Sequence, residues 1–251
     1  MNAIILAAGI GSRLKEYTRD VAKCMVGVNA KSLVERTIEI LSHNGIQRLV
    51  IVTGYKADAL QDLVSSKFSA ANLNGMKIEY VNNPLFDKTN NIYSLYLAKD
   101  TLLSGETLLL ESDLIFTPSI IEDVVNNVAG NVAVVSKYEE WMDGTCVTLS
   151  GDKILQFISK KSFDKAQSSS YYKTVNIYKF APDFCRDYYI PFLETYQNVF
   201  GRNDYYERVL DVLTYIQPKM FSAICVPSSA YHEIDTPEDL RVAKEKFSDA
   251  R

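Results

Sequence analysis

The chain has 251 residues, a net charge of −4, 47% hydrophobic and 23% charged residues, which is the profile of an ordinary globular protein. A chain near this size buries roughly 70–75% of its unfolded surface, so it needs no disulfide or metal staple, and its mild acidity argues against a nucleic-acid partner. Four cysteines without a C-x-x-C pair and only two histidines argue against a structural zinc site.

Residues 3–7, AIILA, are short and uniformly apolar, as in a strand buried on both faces. Leu33, Val34, Ile38, Ile40 and Leu41 make a helical stripe over 32–44 that Gly45 stops. Strands are expected at 49–54, 76–81, 107–113 and 131–137, with helices at 57–68, 91–98 and 118–128. This alternation is the signature of an α/β fold with a mainly parallel sheet and helices on both faces. The second half changes character. Strands are expected at 146–150, 153–159 and 172–180, the first two joined by Ser150-Gly151-Asp152. Helices follow at 182–196 and 204–214, a strand at 221–226, and a last helix at 236–247 capped by Thr236 with Pro237 at its first position. No apolar run approaches transmembrane length and no basic leader precedes the first apolar run, so the expected compartment is the cytoplasm, with no membrane partner.

The first strand runs into the small-residue loop Leu6-Ala7-Ala8-Gly9-Ile10-Gly11-Ser12-Arg13, and Lys23 follows after a short interval. Small residues let backbone N–H groups approach an anion closely, and Arg13 and Lys23 add positive charge. The pattern suits a nucleoside triphosphate. It is not a dinucleotide fingerprint, because Leu14 stands where the third glycine belongs, and no G-x-x-x-x-G-K-[ST] string exists.

Asp113 and Asp235 fall where the segments TLLLESD and YHEID end. Ligands of parallel α/β sheets bind at the carboxyl ends of strands, which puts both carboxylates on the rim that carries the Gly9–Arg13 loop. Two like charges ~4 Å apart repel by on the order of 4 kcal/mol at an effective dielectric near 20. A divalent cation reverses that sign, and Mg²⁺ often binds through one or two carboxylates plus phosphates. Taken alone, either aspartate would serve equally as a helix or turn cap.

Together these residues resemble the nucleotidyltransferases that join an NTP to a phosphorylated small molecule. Leu6 through Arg13 match that family's opening L-A-A-G-x-G-[ST]-R, while its usual Pro-Lys is Ala22-Lys23. The segment 90–97, NNIYSLYL, looks like the phosphocholine cytidylyltransferase branch. The strings at 143–145, 173–180, 204–210 and 231–240 look closer to 2-aminoethylphosphonate cytidylyltransferases. The resemblance implies a Rossmann-like mixed sheet and a reaction in which CTP and 2-aminoethylphosphonate give CMP-2-aminoethylphosphonate and pyrophosphate with Mg²⁺. It divides the chain into a nucleotide-binding half, 1–138, an acceptor-binding half, 139–235, and a C-terminal helix, 236–251. The implied catalytic set is Arg13, Lys23, Asp113 and Asp235, with the two aspartates holding the metal. Leu6, Ala7, Ala8, Gly9, Gly11, Ser12, Arg13, Lys23, Asn90, Ser94 and Asp113 would bind the nucleotide. Trp141, Asp143, Lys160, Asn176, Tyr206 and Glu207 would bind the acceptor.

The acceptor side has its own physical logic. Aromatic cages hold quaternary ammonium groups, whereas a primary ammonium also wants oxygen acceptors such as Asp143 and Glu207. The same aromatics would equally serve as core packing, and the lysines as solvated charges. Phosphocholine or a sugar 1-phosphate is the rival acceptor. A non-catalytic nucleotide sensor is the rival of another class.

Overall fold

A computed structural model describes residues 1–247; the last four positions of the segment expected to be helical at 236–251 lie outside the described residues. The strands are β1 (Asn2–Ala7), β2 (Gly27–Val28), β3 (Lys31–Ser32), β4 (Arg48–Thr53), β5 (Lys77–Asn82), β6 (Thr107–Glu111), β7 (Leu114–Phe116), β8 (Val132–Lys137), β9 (Cys146–Ser150), β10 (Lys153–Ile158), β11 (Tyr172–Phe180), β12 (Ser222–Cys225) and β13 (Tyr231–Glu233). The helices are α1 (Leu33–His43), α2 (Ala57–Lys67), α3 (Asn91–Leu97), α4 (Lys99–Leu103), α5 (Ser119–Asn126), α6 (Pro182–Phe184), α7 (Ile190–Phe200), α8 (Glu207–Ile216) and α9 (Pro237–Lys246).

Nine strands form one sheet in the order β5-β4-β1-β6-β11-β8-β12-β10-β9. The run from β5 to β6 is parallel, β11 is antiparallel to both its neighbours β6 and β8, and β12 returns parallel to β8. β9 and β10 form the expected hairpin and belong to this same sheet. Strand periodicity explains the two cores. Ala3, Ile5, Leu49, Ile51, Leu108 and Leu110 face α1, α2 and α5, through residues such as Ile38, Leu60 and Val124. Ile4, Leu6, Val50, Val52 and Leu109 face the other way, onto Ile92, Leu95 and the Phe180–Tyr189–Phe221 aromatic group.

Three expectations are corrected, and one segment that carried none is filled in. The segment 107–113 is not one strand: β6 ends at Glu111, Ser112 and Asp113 form a turn, and β7 leaves for a second, two-stranded sheet with β13. The helix expected at 182–196 is α6, a π-turn at Cys185–Tyr189, and α7, which ends at Phe200 before Gly201. The helix expected from 204 begins only at Glu207, because Asp204 turns its carboxylate onto the Tyr205 N–H and the Tyr196 hydroxyl. The segment after Arg13 carries short 3-10 turns, Ser12–Thr18 and Lys23–Met25, and the β2–β3 hairpin. No helix of the described residues is long and apolar enough to cross a membrane.

Candidate active site

The carboxyl ends of β1 and β6, the β6–β7 turn and the loop after β13 open into one cavity of about 730 Å³. The loop after β1 is tight. Gly11 has φ +67°, and a Cβ there would stand 2.9 Å from Lys23 Cβ, so glycine is needed both for the left-handed backbone and for the approach of the lysine stem. Leu14 seals the far side of the loop against Val28, Leu33, Ile115, Ile234 and Leu240.

Asp113 and Asp235 meet as the sequence suggests, but through the second sheet. β13 pairs antiparallel with β7, and the Ile234 N–H donates to the Asp113 carbonyl at 2.9 Å. Lys23 stands between the two carboxylates: its Nζ donates to Asp113 Oδ2 at 2.6 Å and to Asp235 Oδ1 at 2.6 Å. Arg13 Nη2 reaches the same Asp235 oxygen at 2.8 Å. Asp113 Oδ1 is buried without a hydrogen-bond partner. Burial alone would lower the Lys23 pKa, but the charges and hydrogen bonds of the two aspartates outweigh it and hold it above the ordinary lysine value.

A second charged group lines the cavity. Glu207 opens α8, and burial pushes its carboxyl up to about 7, against the opposing pull of its own helix-end N–H and of Lys173; its Oε2 has no partner. Burial also lifts Glu111 well above the usual carboxylate range, helped by Asp113 and Glu207 and opposed by the Asn91 amide, which donates to it at 2.9 Å. Burial raises Glu233 too, and the Lys173 charge opposes it. Lys173 is almost wholly enclosed. It donates to Glu233 Oε1 at 3.0 Å and to the Thr174 carbonyl at 2.6 Å. Asn176 donates to the same Glu233 oxygen at 2.7 Å from a left-handed backbone, φ +60°, at the irregularity of β11 between Thr174 and Tyr178. Asparagine tolerates that conformation better than most residues. Asp143 and Lys160 pair at 2.7 Å. The Lys160 hydrogen bond holds Asp143 below, and the Asp143 hydrogen bond holds Lys160 above, its ordinary value.

Most of the residues expected at the site line this cavity: Leu6, Ala8, Gly9, Gly11, Ser12, Arg13, Lys23, Asn90, Ser94, Asp113, Asp143, Lys160, Asn176, Glu207 and Asp235. Three do not. Ala7 packs into the core on the α1 side of the sheet. Trp141 is mostly exposed, beside His232 and donating to Glu139. Tyr206 is fully buried in the other core, edge-on to Tyr178, and it is Tyr205 that faces the cavity. Sequence reasoning missed Glu111, Lys173, Glu233, Asn83, Asn91 and Arg208. The available signal for three of them was a charge at the end or inside of an apolar strand, TLLLE, YKTVNI and YHE, because such a charge is almost never buried without a partner.

Residues 3–236 match the profile of the MobA-like NTP transferase domain, and the chain belongs to that family. Along its whole length it is 28% identical to the CMP-5'-(3-aminopropyl)phosphonate synthase of Streptomyces rubellomurinus, of which the match covers 39%. It is 34% identical over 116 residues, 46% of the chain, to the 2-aminoethylphosphonate cytidylyltransferase of Lancefieldella rimae, of which that match covers 44%. Each match thus spans less than half the length of the relative. The structure of the CTP:phosphocholine cytidylyltransferase from Streptococcus pneumoniae superposes with a TM-score of 0.77 at 21% identity, covering 97% of each chain. The fold is the Rossmann-like mixed α/β sheet of the nucleotidyltransferases.

Proposed function

We propose that this chain is a cytidylyltransferase that joins CTP to 2-aminoethylphosphonate, giving CMP-2-aminoethylphosphonate and pyrophosphate. The observation that carries the reading is the enclosed acidic group in the cavity. Among the described residues, Lys173 serves both Glu207 and Glu233 and is already hydrogen-bonded to Glu233, Glu111 has only the Asn91 amide as a hydrogen-bond partner, and Glu207 Oε2 has no partner at all. Burying a carboxylate without a counter-charge is unfavourable. A primary ammonium brings both the charge and the N–H donors that these oxygens lack. Of the aromatics a cage could draw on, Trp141, Tyr171, Tyr172 and Tyr206 do not line the cavity and Tyr205 does; one tyrosine beside three carboxylates suits a primary ammonium better than a trimethylammonium group. The Streptomyces relative, by its name, makes the CMP derivative of an aminoalkylphosphonate, and this supports an acceptor of the same chemical kind.

An oxygen of the acceptor phosphonate attacks the α-phosphorus of CTP; the new P–O bond forms as the bond to the β-phosphate bridging oxygen breaks and pyrophosphate departs. The acceptor is already an anion, so no protein nucleophile is needed. The protein positions the two substrates and offsets their charge. The loop from Ala8 to Ser12 offers backbone N–H groups to the phosphates. Arg13 grips the pyrophosphate oxygens, and Lys23 neutralises the α-phosphate. Asn90 and Ser94 line the side assigned to the base, with Ser94 held by the Asn83 amide at 3.1 Å. Lys160 meets the acceptor phosphonate. Among the described residues no group of three or more His, Cys, Asp or Glu side chains is arranged to hold a metal ion. The pair Asp113 and Asp235, with a buried unpartnered Asp113 oxygen and a cation already seated between them, suits Mg²⁺, which takes its remaining ligands from phosphate and water. Held there, Mg²⁺ would supply charge neutralisation to phosphate oxygens.

The test compares kcat/KM for 2-aminoethylphosphonate, its N-trimethyl analogue and phosphocholine. Unpaired buried carboxylates lose roughly 1–3 kcal/mol, so full methylation lowers kcat/KM by about one to two orders of magnitude. Equal or better rates with the trimethylated acceptors would refute the amine assignment. No pyrophosphate release with any nucleotide and acceptor would leave a nucleotide-binding module.

A further inference from the structure

Four observations converge on the aspartate pair. Lys23 Nζ is 2.6 Å from an oxygen of each carboxylate, and Arg13 is 2.8 Å from the Asp235 oxygen that Lys23 also holds. The Lys23 stem lies so close to the loop that a side chain at Gly11 would collide with it. The remaining Asp113 oxygen is buried and unpartnered. Two cations and two anions thus make a neutral cluster at the point where a divalent cation would be held.

We propose that Lys23, seconded by Arg13, is an internal counter-cation that keeps divalent metal off Asp113 and Asp235 until a triphosphate arrives, so that metal and nucleotide bind as a coupled pair. This inference rests on the assignment of Asp113 and Asp235 to a divalent cation. An ammonium on a four-carbon stem is a compact, mobile point charge, able to leave a carboxylate for a phosphate oxygen. Without nucleotide, a metal ion must displace Lys23 from both aspartates and leave that ammonium with no new partner. With nucleotide, Lys23 and Arg13 gain phosphate oxygens, the aspartates lose their internal partners, and the metal replaces them. The coupling is reciprocal: metal strengthens nucleotide binding by the factor by which nucleotide strengthens metal binding.

The experiment measures Mn²⁺ binding by electron paramagnetic resonance of the free aqua ion, without acceptor and with or without CTP, each titration with CTP being corrected by the same titration of CTP without protein. Parent protein, Lys23→Met and Arg13→Met are compared, each with its thermal midpoint. The parent is expected to bind Mn²⁺ at least about tenfold more tightly with CTP. Lys23→Met is expected to bind Mn²⁺ alone at least about tenfold more tightly than the parent, as follows from removing a unit positive charge within ~4 Å. Arg13→Met moves in the same direction by less; Arg13 is 66% exposed, so this variant carries the comparison if Lys23→Met does not fold. Variants that bind Mn²⁺ alone no better than the parent, while the parent still forms a Mn²⁺–CTP complex, overturn the counter-cation role and leave the metal assignment standing. Absence of Mn²⁺ binding even with CTP overturns the metal assignment and this inference with it.

Discussion

Burial lifts the Glu207 carboxyl from 4.5 to about 7, the nearby N–H of its helix end and Lys173 opposing. The folded chain therefore holds this proton more tightly than the unfolded chain does. The stability it contributes is fully present below pH ~4.5 and is lost as pH rises to about 7, on the order of 3 kcal/mol for a shift of this size. Thermal midpoints of the ligand-free protein are expected to fall across that window, and Glu207→Gln to flatten the fall. Glu111 and Glu233 are raised in the same direction, so some slope persists in the variant. An ammonium-bearing acceptor prefers the ionised carboxylate and is expected to restore stability mainly at the upper end. Gly11 gives a second prediction. Gly11→Ala places a side chain at a left-handed backbone, φ +67°, and against Lys23. Left-handed strain is worth roughly 1–2 kcal/mol, and the displaced lysine leaves the two aspartates facing each other. A lower thermal midpoint together with weaker CTP binding by calorimetry checks this.

Asp235 is placed by the start of α9. Thr236 and Asp239 form a reciprocal capping box, and Asp239 Oδ2 accepts the N–H of Asp235 at 3.1 Å as well as that of Thr236 at 2.8 Å. Thr236→Ala removes about 1 kcal/mol of cap and frees the backbone that aims the Asp235 carboxylate. The expected outcome is a modest fall in thermal midpoint with a several-fold loss of kcat, and steady-state kinetics at saturating CTP reads it. The cap and its Pro237 were legible in the sequence because caps are local. So were the strands of the first half, where apolar runs bury both faces. Asp113 reads as the last residue of a strand over 107–113, whereas β6 ends at Glu111 and Asp113 sits in the turn; that Leu114–Phe116 then pairs in another sheet is a tertiary fact. Tyr206 and Tyr205 are adjacent, and composition does not say which faces the cavity; a helix that starts three residues late reverses the answer. Glu111, Lys173 and Glu233 gave only the local signal of a charge within or at the end of a strand; the partners that bury them, Asn91 for Glu111 and the Lys173–Glu233 pair itself, come together only in the tertiary fold.

The molecule as a whole carries a charge of −4, yet binds polyanions in the proposed reaction. Its basic groups for phosphate are therefore local: Arg13, Lys23, Lys160 and Lys173 line one cavity, each held by a carboxylate that a phosphate would have to displace. Removing metal from such a site is expected to stop turnover while far-UV circular dichroism stays unchanged, with Mg²⁺ restoring the rate; undiminished pyrophosphate release in excess chelator would contradict the metal assignment. The second sheet has a bearing on how the molecule comes into being. β7 is made early and β13 late, and only their pairing brings Asp235 to Asp113. A chain synthesised only through β11 contains the residues of β1, β4, β5 and β6 and of the Gly9–Arg13 loop, but half of the acidic pair does not yet exist. The proposed chemistry therefore requires that translation has passed Asp235.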